Sequence, residues 1–484
     1  VRRTSNVIAR SATTKQSSEK NVRKRVYLDY AASAPLLPEV SVEMTLTMRL
    51  FGNPSSLHTA GREAKAAIER AREAVAAAIG AKPSEIIFTS SGTESNNAVI
   101  NSFDHVIVSA IEHPSISRIS YKVGPCKKGF HVIDVDRSGK IDIQQLTELL
   151  NKTGDNTLVS VQIANNEIGT IQNISEIVKI AHAAGAKVHT DAVQALGKIL
   201  IDVDKLGVDY MTLSAHKIGG PKGVGALYVR DGQKLQPLIC GGHQEQNRRA
   251  ATENTIGIVG FGAAAKQVPN LIKKYQSQVK LLRDRLRDFC EREFSHISVN
   301  TPKADALPNI LSISFAGVEG ESILLALDNV GIEVSTGSAC ASGDIRSSHV
   351  LTAINTDPEL AHGSIRFSLG PDTTKADIDY VFEQLPPTLA KLRGMSTVTL
   401  PVIAHHPHPT SHAVEFRDEE SSSVISESPL VPAFENHNQD TSSGNSKRTR
   451  RGGVGACTAS LNNYLTAYNL ELKAAKQPQG ASDD

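Results

Sequence analysis

Tyr210 to Gly223 reads YMTLSAHKIGGPKG, an apolar strand that delivers one lysine, Lys217, into a run of small residues. Ser214 and His216 stand just before that lysine, and each can donate a hydrogen bond. Gly219, Gly220 and Gly223 stand just after it and would let a ligand approach the backbone closely. A lysine placed this way can hold a carbonyl compound as a Schiff base. A solvated turn residue is the other reading, and the flanking sequence has to decide between them.

Upstream of this stretch, apolar strands alternate with helical segments. HVIVSAIEHPSI brings His113 to a strand end, NTLVSVQIANNEIGTIQ brings Asn165, Asn166 and Glu167 to another, and AKVHTDAVQALGK brings Asp191 and Gln194 to a third. The alternation predicts a mostly parallel sheet with crossover helices. In such sheets the ligand crevice lies at the carboxyl ends of the strands. His113, Asn165, Asp191, Gln194 and Lys217 all fall at such ends. Further upstream, EIIFTS reads as a buried strand that turns directly into SSGTESNNAVI, a helix with Ser91, Gly92, Thr93 and Glu94 in its first turn. The N–H groups of that turn, with a hydroxyl beside them, suit a phosphate. The same residues also read as ordinary capping. Before them, FGNPSSLHTAGREAKAAIERAREAVAAAIG predicts an amphipathic helix stopped by Gly80 and Pro83.

Composition bounds the function. The chain has 484 residues, 40% of them hydrophobic, with 52 basic against 51 acidic side chains. That balance points to neither a nucleic-acid nor a membrane partner, and no apolar run reaches the roughly 18 residues of a spanning helix. The cysteines, at 126, 240, 290, 340 and 457, form no CxxC pair and no zinc pattern, so free thiols and no metal site are expected. Residues 1–25 are basic with a single acid, Glu19, which fits an organelle transit peptide or a disordered basic tail. Residues 394–484 are rich in Ser, His, Pro and charge, with too few apolar residues to fold alone. In that tail His405, His406 and His408 could bind metal, SKRTRR could bind an anion, and Cys457 could accept sulfur; a solvated tail is the simpler reading.

The strand-end residues suit one chemistry. A pyridine-type electron sink works best with its ring nitrogen protonated, and a buried carboxylate such as Asp191 would hold that proton. Lys217 would supply the imine, Gln194 could donate to a phenolic oxygen, His113 could stack on the ring or move protons, and Thr93, Ser214 and His216 could hold a phosphate. Downstream, VSTGSACASGDIRSS sets Cys340 among Gly337, Ser338, Ala339, Ser342 and Gly343. A thiol in such a polar, small-residue loop is expected to be exposed and nucleophilic. Cys126, Cys240 and Cys290 have no comparable setting and read as structural.

The ordered motifs YLDYAASAP, FGNPSSLHTAGR, FTSSGTESNN, EHPSI, NNEIGTIQ, HTDAVQALGK, SAHKIGGPKGVGALYVR, VSTGSACASG and SIRFSLG closely resemble the pyridoxal 5'-phosphate (PLP)-dependent cysteine desulfurases of the nitrogen-fixation and iron-sulfur-cluster type. The match runs over about residues 26–393. The resemblance implies PLP fold type I, the aspartate-aminotransferase-like α/β fold, with a mostly parallel seven-stranded sheet and a second, smaller α/β domain. It divides the chain into a large PLP-binding domain over 26–275, whose first residues could pack with the small domain, and a small domain over 276–393 carrying Cys340 and Arg366. LIKKYQSQVKLLRDRLRDFCEREF is the expected helical bridge.

By position, the resemblance assigns Lys217 as the PLP lysine, Asp191 as the ring-nitrogen partner, His113 as the stacking histidine and Gln194 as the phenolic-oxygen contact. Gly92, Thr93, Ser214 and His216 fall at the phosphate, with Thr252 supplied by the neighbouring subunit of a homodimer. Asn165 and Arg366 would hold the substrate carboxylate. The implied activity removes sulfur from L-cysteine, leaving L-alanine and a persulfide on Cys340 for a sulfur acceptor or iron-sulfur scaffold protein. Selenocysteine lyase is the alternative within the family, and a catalytically silent subunit of a sulfur-transfer assembly the alternative outside it. A mitochondrion or other organelle is the expected location, with the cytoplasm as alternative.

Overall fold

The computed structural model describes residues 24–119, 129–336 and 348–396, all within one compact unit. Cys126, Cys340, Cys457, the basic leader through residue 23 and the tail from 397 lie outside the described residues. In chain order the first eight strands are β1 (Val26–Tyr27), β2 (Ile86–Thr89), β3 (His105–Ser109), β4 (Gly129–Ile133), β5 (Thr157–Ser160), β6 (Lys187–Asp191), β7 (Tyr210–Ser214) and β8 (Gly225–Val229). Seven of them form the main sheet, ordered β2-β8-β7-β6-β5-β3-β4. β3 pairs in parallel with β4 and β5, β5 with β6, and β6 with β7.

β8 runs antiparallel to β2 and β7, the exception in a sheet otherwise parallel as expected. Its connection from β7, residues 215–224, is shorter than the dozen or so residues a parallel crossover needs, so the chain can only turn back. Every residue of β2, β5, β7 and β8 is buried, because helices cover both faces of such a sheet.

The helices follow the apolar spacing of the sequence. α1 spans Pro38–Thr47, and α2 spans Thr59–Ala77 with Ala64, Ala67, Ile68, Ala71 and Val75 buried at steps of three and four. α2 lies close against the helix Thr255–Lys266: a Cβ added at Gly262 would stand 2.6 Å from Ala71 Cα and push the two apart. The chain leaves α2 through Gly80, at φ 72°, the left-handed turn that glycine adopts without strain.

The remaining strands are β9 (Ile297–Val299), β10 (Ile310–Phe315), β11 (Ile332–Glu333) and β12 (Ser364–Ser368). β12, β10 and β9 form an antiparallel three-stranded sheet, while β1 pairs in parallel with β11, Val26 opposite Ile332. The expected bridging helix is present as Val268–Lys274 and Lys280–Glu293, joined by a π-helical turn over Tyr275–Val279 that the apolar pattern does not reveal. Cys290 is buried there, whereas Cys240 is exposed and so does not match its reading as a structural thiol.

Candidate active site

The carboxyl ends of β2, β3, β5, β6 and β7 carry the residues singled out from the sequence. β7 runs into the short 3-10 turn Ala215–Lys217, and Lys217 Nζ donates to the carbonyls of Ala31 and Ala32 at 2.6 and 2.8 Å. Gln194 Nε2 donates to the same Ala31 carbonyl at 2.8 Å, so Lys217 and Gln194 meet at one oxygen contributed by the YLDYAASAP segment. Gln194 is buried and its Oε1 has no partner among the described residues. His216 Nδ1 lies 3.3 Å from Ser33 Oγ, and its pKa is pushed down to about 4, first by burial and then by Lys217, Lys222 and Lys198. His216 is therefore a neutral donor or acceptor at neutral pH.

Packing by itself requires glycine at Gly219 and Gly220. A Cβ at Gly219 would stand 2.5 Å from Leu37 Cγ, and one at Gly220 2.8 Å from Ala215 Cβ. Gly223 has open space beside it.

Asp191 is held by two donors. Asn96 Nδ2 reaches its Oδ2 at 2.8 Å, and the Val193 N–H reaches its Oδ1 at 2.9 Å. Asn96 Nδ2 also donates to Ser115 Oγ at 2.8 Å, and Ser115 Oγ lies 2.8 Å from His113 Nδ1. The Ser115 N–H donates to that same Nδ1 at 3.1 Å. With Nδ1 accepting, the neutral imidazole carries its proton on Nε2. Burial lowers the His113 pKa; Asp191 opposes this, and the charge of Lys217 and the nearby His349 add to it. One chain of bonds thus links Asp191, Asn96, Ser115 and His113 across three strand ends. Asn96 and Ser115 were not singled out from the sequence. The available signal was that Asn96 follows Gly92 by one helical turn.

The helix α3, Gly92–Asn101, begins beside these groups. Ser91 caps it through Oγ, which accepts from the Glu94 N–H, so the capping reading of this turn holds. A Cβ at Gly92 would stand 3.0 Å from Val193 Cγ2 and 3.9 Å from Ser214 Cβ, which sets the first turn of α3 against the ends of β6 and β7. Thr93 is exposed at that end, Ser214 is buried, and Thr252 is exposed.

Asn165 is fully buried, and its amide is committed locally. Its Oδ1 accepts the N–H groups of Glu167 and Ile168, and Nδ2 donates to the Ile111 carbonyl at 3.0 Å, which uses one of its two amide hydrogens. Arg366, at the centre of β12 and 4% exposed, donates from Nη2 to Asp29 Oδ1 at 2.8 Å and from Nη1 to the Asn166 carbonyl at 3.0 Å. Its Nε is buried without a partner among the described residues. Asp29, another residue not singled out from the sequence, already occupies part of the guanidinium fork.

Two buried acids flank the site. Glu112 is fully buried; burial, with the charge of Asp191, raises its pKa well above the carboxylate range. Glu167 accepts from Ser348 Oγ at 2.5 Å, and His349 Nε2 lies 2.9 Å from the Glu112 carbonyl, so both acids touch the chain that resumes after residue 347. Beside Ser33, a cleft of ≈ 600 Å³ is lined also by Tyr27, Gly220 and Lys222. Among the described residues, no group of three or more His, Cys, Asp or Glu could hold a metal ion, and no helix is long and apolar enough to cross a membrane.

Known proteins resemble this chain over most of its length. The family model described as aminotransferase class-V matches residues 26–381. The "Cysteine desulfurase IscS" of Dictyoglomus turgidum is 49% identical over 390 residues, covering 78% of this chain and 97% of that protein. "Cysteine desulfurase 2" of Trichormus variabilis is 42% identical over 381 residues, covering 77% and 94%. Among solved structures, the NifS-like protein of Rickettsia africae superposes with a TM-score of 0.70 at 35% identity, covering 76% of this chain and all of that one. A structure described as SspA in complex with cysteine superposes with a TM-score of 0.63 at 35% identity, over 72% of this chain. With a family model spanning most of the described residues and relatives matched over nearly their whole lengths, the chain belongs to the aminotransferase class-V family.

Proposed function

We propose that this chain is a PLP-dependent cysteine desulfurase that takes sulfur from L-cysteine, releases L-alanine and passes the sulfur on from Cys340. The observation that carries the reading is the meeting of Lys217, Asp191, Gln194 and His113 at one rim of the sheet, in a family whose near relatives bear that name.

The residues present fit the cofactor. Asp191 is a buried carboxylate held in place by two donors, Gln194 keeps an orphaned buried oxygen, and the first turn of α3 packs against Ser214. Lys217 would hold PLP, Asp191 would face its ring nitrogen, and Gly92, Thr93, Ser214, His216 and Thr252 would take its phosphate. When bound, the cofactor draws electrons from the substrate α-carbon. Lys217 Nζ moves the α-proton, and Asp191 keeps the ring nitrogen protonated through its charge. Asn165, by its second amide hydrogen, and Arg366 orient the substrate carboxylate, a task that suits a planar guanidinium. The Cys340 thiolate forms an S–S bond to the substrate sulfur as the Cβ–S bond breaks. The three-carbon remainder takes up protons and leaves as alanine, so L-cysteine and one thiol become L-alanine and one persulfide.

A homodimer and a sulfur-accepting or iron-sulfur scaffold partner belong to the same proposal. The stretch from Leu36 to Leu57 supports the dimer: Met48, Phe51 and Leu57 are 65%, 88% and 90% exposed, apolar side chains that a second subunit would cover. The exposed Thr252 would then complete the partner's phosphate site.

The test measures alanine and sulfide released from L-cysteine by wild type and Cys340→Ala, after bound PLP has been confirmed. Turnover by wild type, lost in a Cys340→Ala variant that keeps PLP, supports the assignment and the nucleophile together. Consumption of L-selenocysteine alone makes the chain a selenocysteine lyase instead. No turnover of either by the PLP-loaded protein leaves a silent cofactor-binding subunit.

A further inference from the structure

Lys198 takes no part in the steps above, yet it is buried completely. It ends the turn that Asp191 opens: the Ala195 N–H returns to the Ala192 carbonyl and the Lys198 N–H to the Ala195 carbonyl, each at 3.0 Å. Gln194 lies on that same turn. From its far end, Lys198 Nζ reaches the main-chain carbonyl of Lys217 at 3.5 Å. On another side the ammonium stands 5.9 Å from the ring centroid of Tyr275. Its contacts therefore run to a carbonyl and an aromatic face rather than to a carboxylate.

Two independent features shape the surroundings to this lysine. Gly197, at φ 75°, lets the turn press against the residue after Lys217: a Cβ there would stand 2.9 Å from Ile218 Cγ2. Tyr275 opens the π-helical turn Tyr275–Val279, a local widening of a helix that recurs at functional positions. A buried ammonium costs free energy through lost hydration. Here burial, and then the charge of Lys217, push the Lys198 pKa down to about 7. A leucine or methionine would fill the same space without that cost.

We propose that Lys198 is a positioning residue that ties the turn carrying Asp191 and Gln194 to the turn carrying Lys217, and so sets the spacing between the two halves of the cofactor cradle. The proposal rests on the reading of Lys217 as the cofactor lysine. It assigns Lys198 no contact with substrate or cofactor. Its effect passes through the main chain of Lys217, at the root of the side chain that must reach the cofactor.

The experiment compares wild type, Lys198→Met, Lys198→Arg and Lys198→Gln. Two quantities are read: the dissociation constant of PLP from the apo-protein, and kcat and KM for L-cysteine in the loaded enzyme. Lys198→Met keeps the unbranched stem as far as Cε and removes the charge and the donor. It is expected to melt no lower than wild type, to bind PLP at least tenfold more weakly, and to lose kcat with little change in KM. Lys198→Arg and Lys198→Gln each restore a donor toward the Lys217 carbonyl, and recovery of PLP affinity in either supports the tie. Wild-type PLP affinity and kcat in Lys198→Met overturn the proposal, as does loss in Lys198→Met with no recovery in either donor variant, which would mark a packing role. If wild type itself binds no PLP, the cofactor reading fails and this proposal fails with it.

Discussion

Neutralising Glu245 is expected to destabilise the fold by about 3 kcal/mol, because it takes away the buried one of the two carboxylates that pair with the Arg72 guanidinium, the half-exposed Glu69 being the other. Arg72 and Glu245 are 7% and 8% exposed. They meet fork to fork, Nη1 to Oε2 at 2.7 Å and Nη2 to Oε1 at 2.8 Å. Arg72 Nη1 also donates to the Ile86 carbonyl, the Phe88 N–H donates to Glu245 Oε2, and the guanidinium lies over the Phe88 ring. The pair thus fastens α2 and β2 to the segment that leads to Thr252. Burial opposes the charge of Arg72, and the bonds and charge of Glu245 outweigh it, leaving its pKa raised. An arginine cannot escape by losing its proton.

In Glu245→Gln the carbonyl oxygen can still accept from Phe88, but the amide NH2 then faces Arg72 Nη2, so the loss combines the missing charge with one broken hydrogen bond. Single removal of one partner of a buried pair costs roughly 3–5 kcal/mol, whereas replacing both is often nearly neutral. Arg72→Met with Glu245→Gln is therefore expected to recover at least about 2 kcal/mol of the single-variant loss, a coupling that a double-mutant cycle isolates. The chain has no tryptophan, so urea unfolding followed by far-UV circular dichroism is the assay. A loss below about 1 kcal/mol in Glu245→Gln, or a double variant equal to the sum of the singles, would refute the reasoning.

Three further outcomes are expected. Ala251 sits at φ 94°, a conformation natural only to glycine, so Ala251→Gly should raise the melting temperature through about 1 kcal/mol of relieved strain; an unchanged or lower value contradicts this. Glu112 stays protonated in the folded chain at pH values where the unfolded chain has ionised it, so wild-type stability falls as pH rises above the ordinary carboxyl range. Glu112→Gln escapes that loss, and its melting temperature relative to wild type should be higher at pH 8 than at pH 5; a gap independent of pH refutes the assignment. Because burial holds the His113 pKa below its ordinary value, its ring resonance, assigned by its absence in His113→Gln, should titrate at lower pH than a free histidine side chain. Titration of His113 at or above the ordinary value would show the ring to be solvated.

Much of this molecule was legible in the chain itself. The steps of three and four in α2, the largely apolar strands and the placing of His113, Asp191 and Lys217 at strand ends are local properties, dictated by the period of each element and the residue that closes it. They were enough to predict a mostly parallel sheet and to bring the candidate residues to one rim. The antiparallel β8 was also legible in principle, since residues 215–224 leave no room for a crossover.

Tertiary structure decided what joins residues distant in sequence. Arg366 meets Asp29 across 337 positions, Glu245 meets Arg72 across 173, and Asn96 bridges Asp191 and Ser115. Nothing in the spacing of either partner names the other, because each bond forms only after the sheets have closed and set the two side chains at hydrogen-bond distance. Gly219 and Gly220 teach the same point: only the fold reveals that Leu37 and Ala215 crowd the places where their side chains would stand. The sequence by itself determined which elements form and which ends they present to the crevice, through propensity and period. The folded chain alone decided which buried polar groups are satisfied by one another and which, such as Gln194 Oε1 and Arg366 Nε, have no partner among the described residues, since that depends on distances the sequence does not contain.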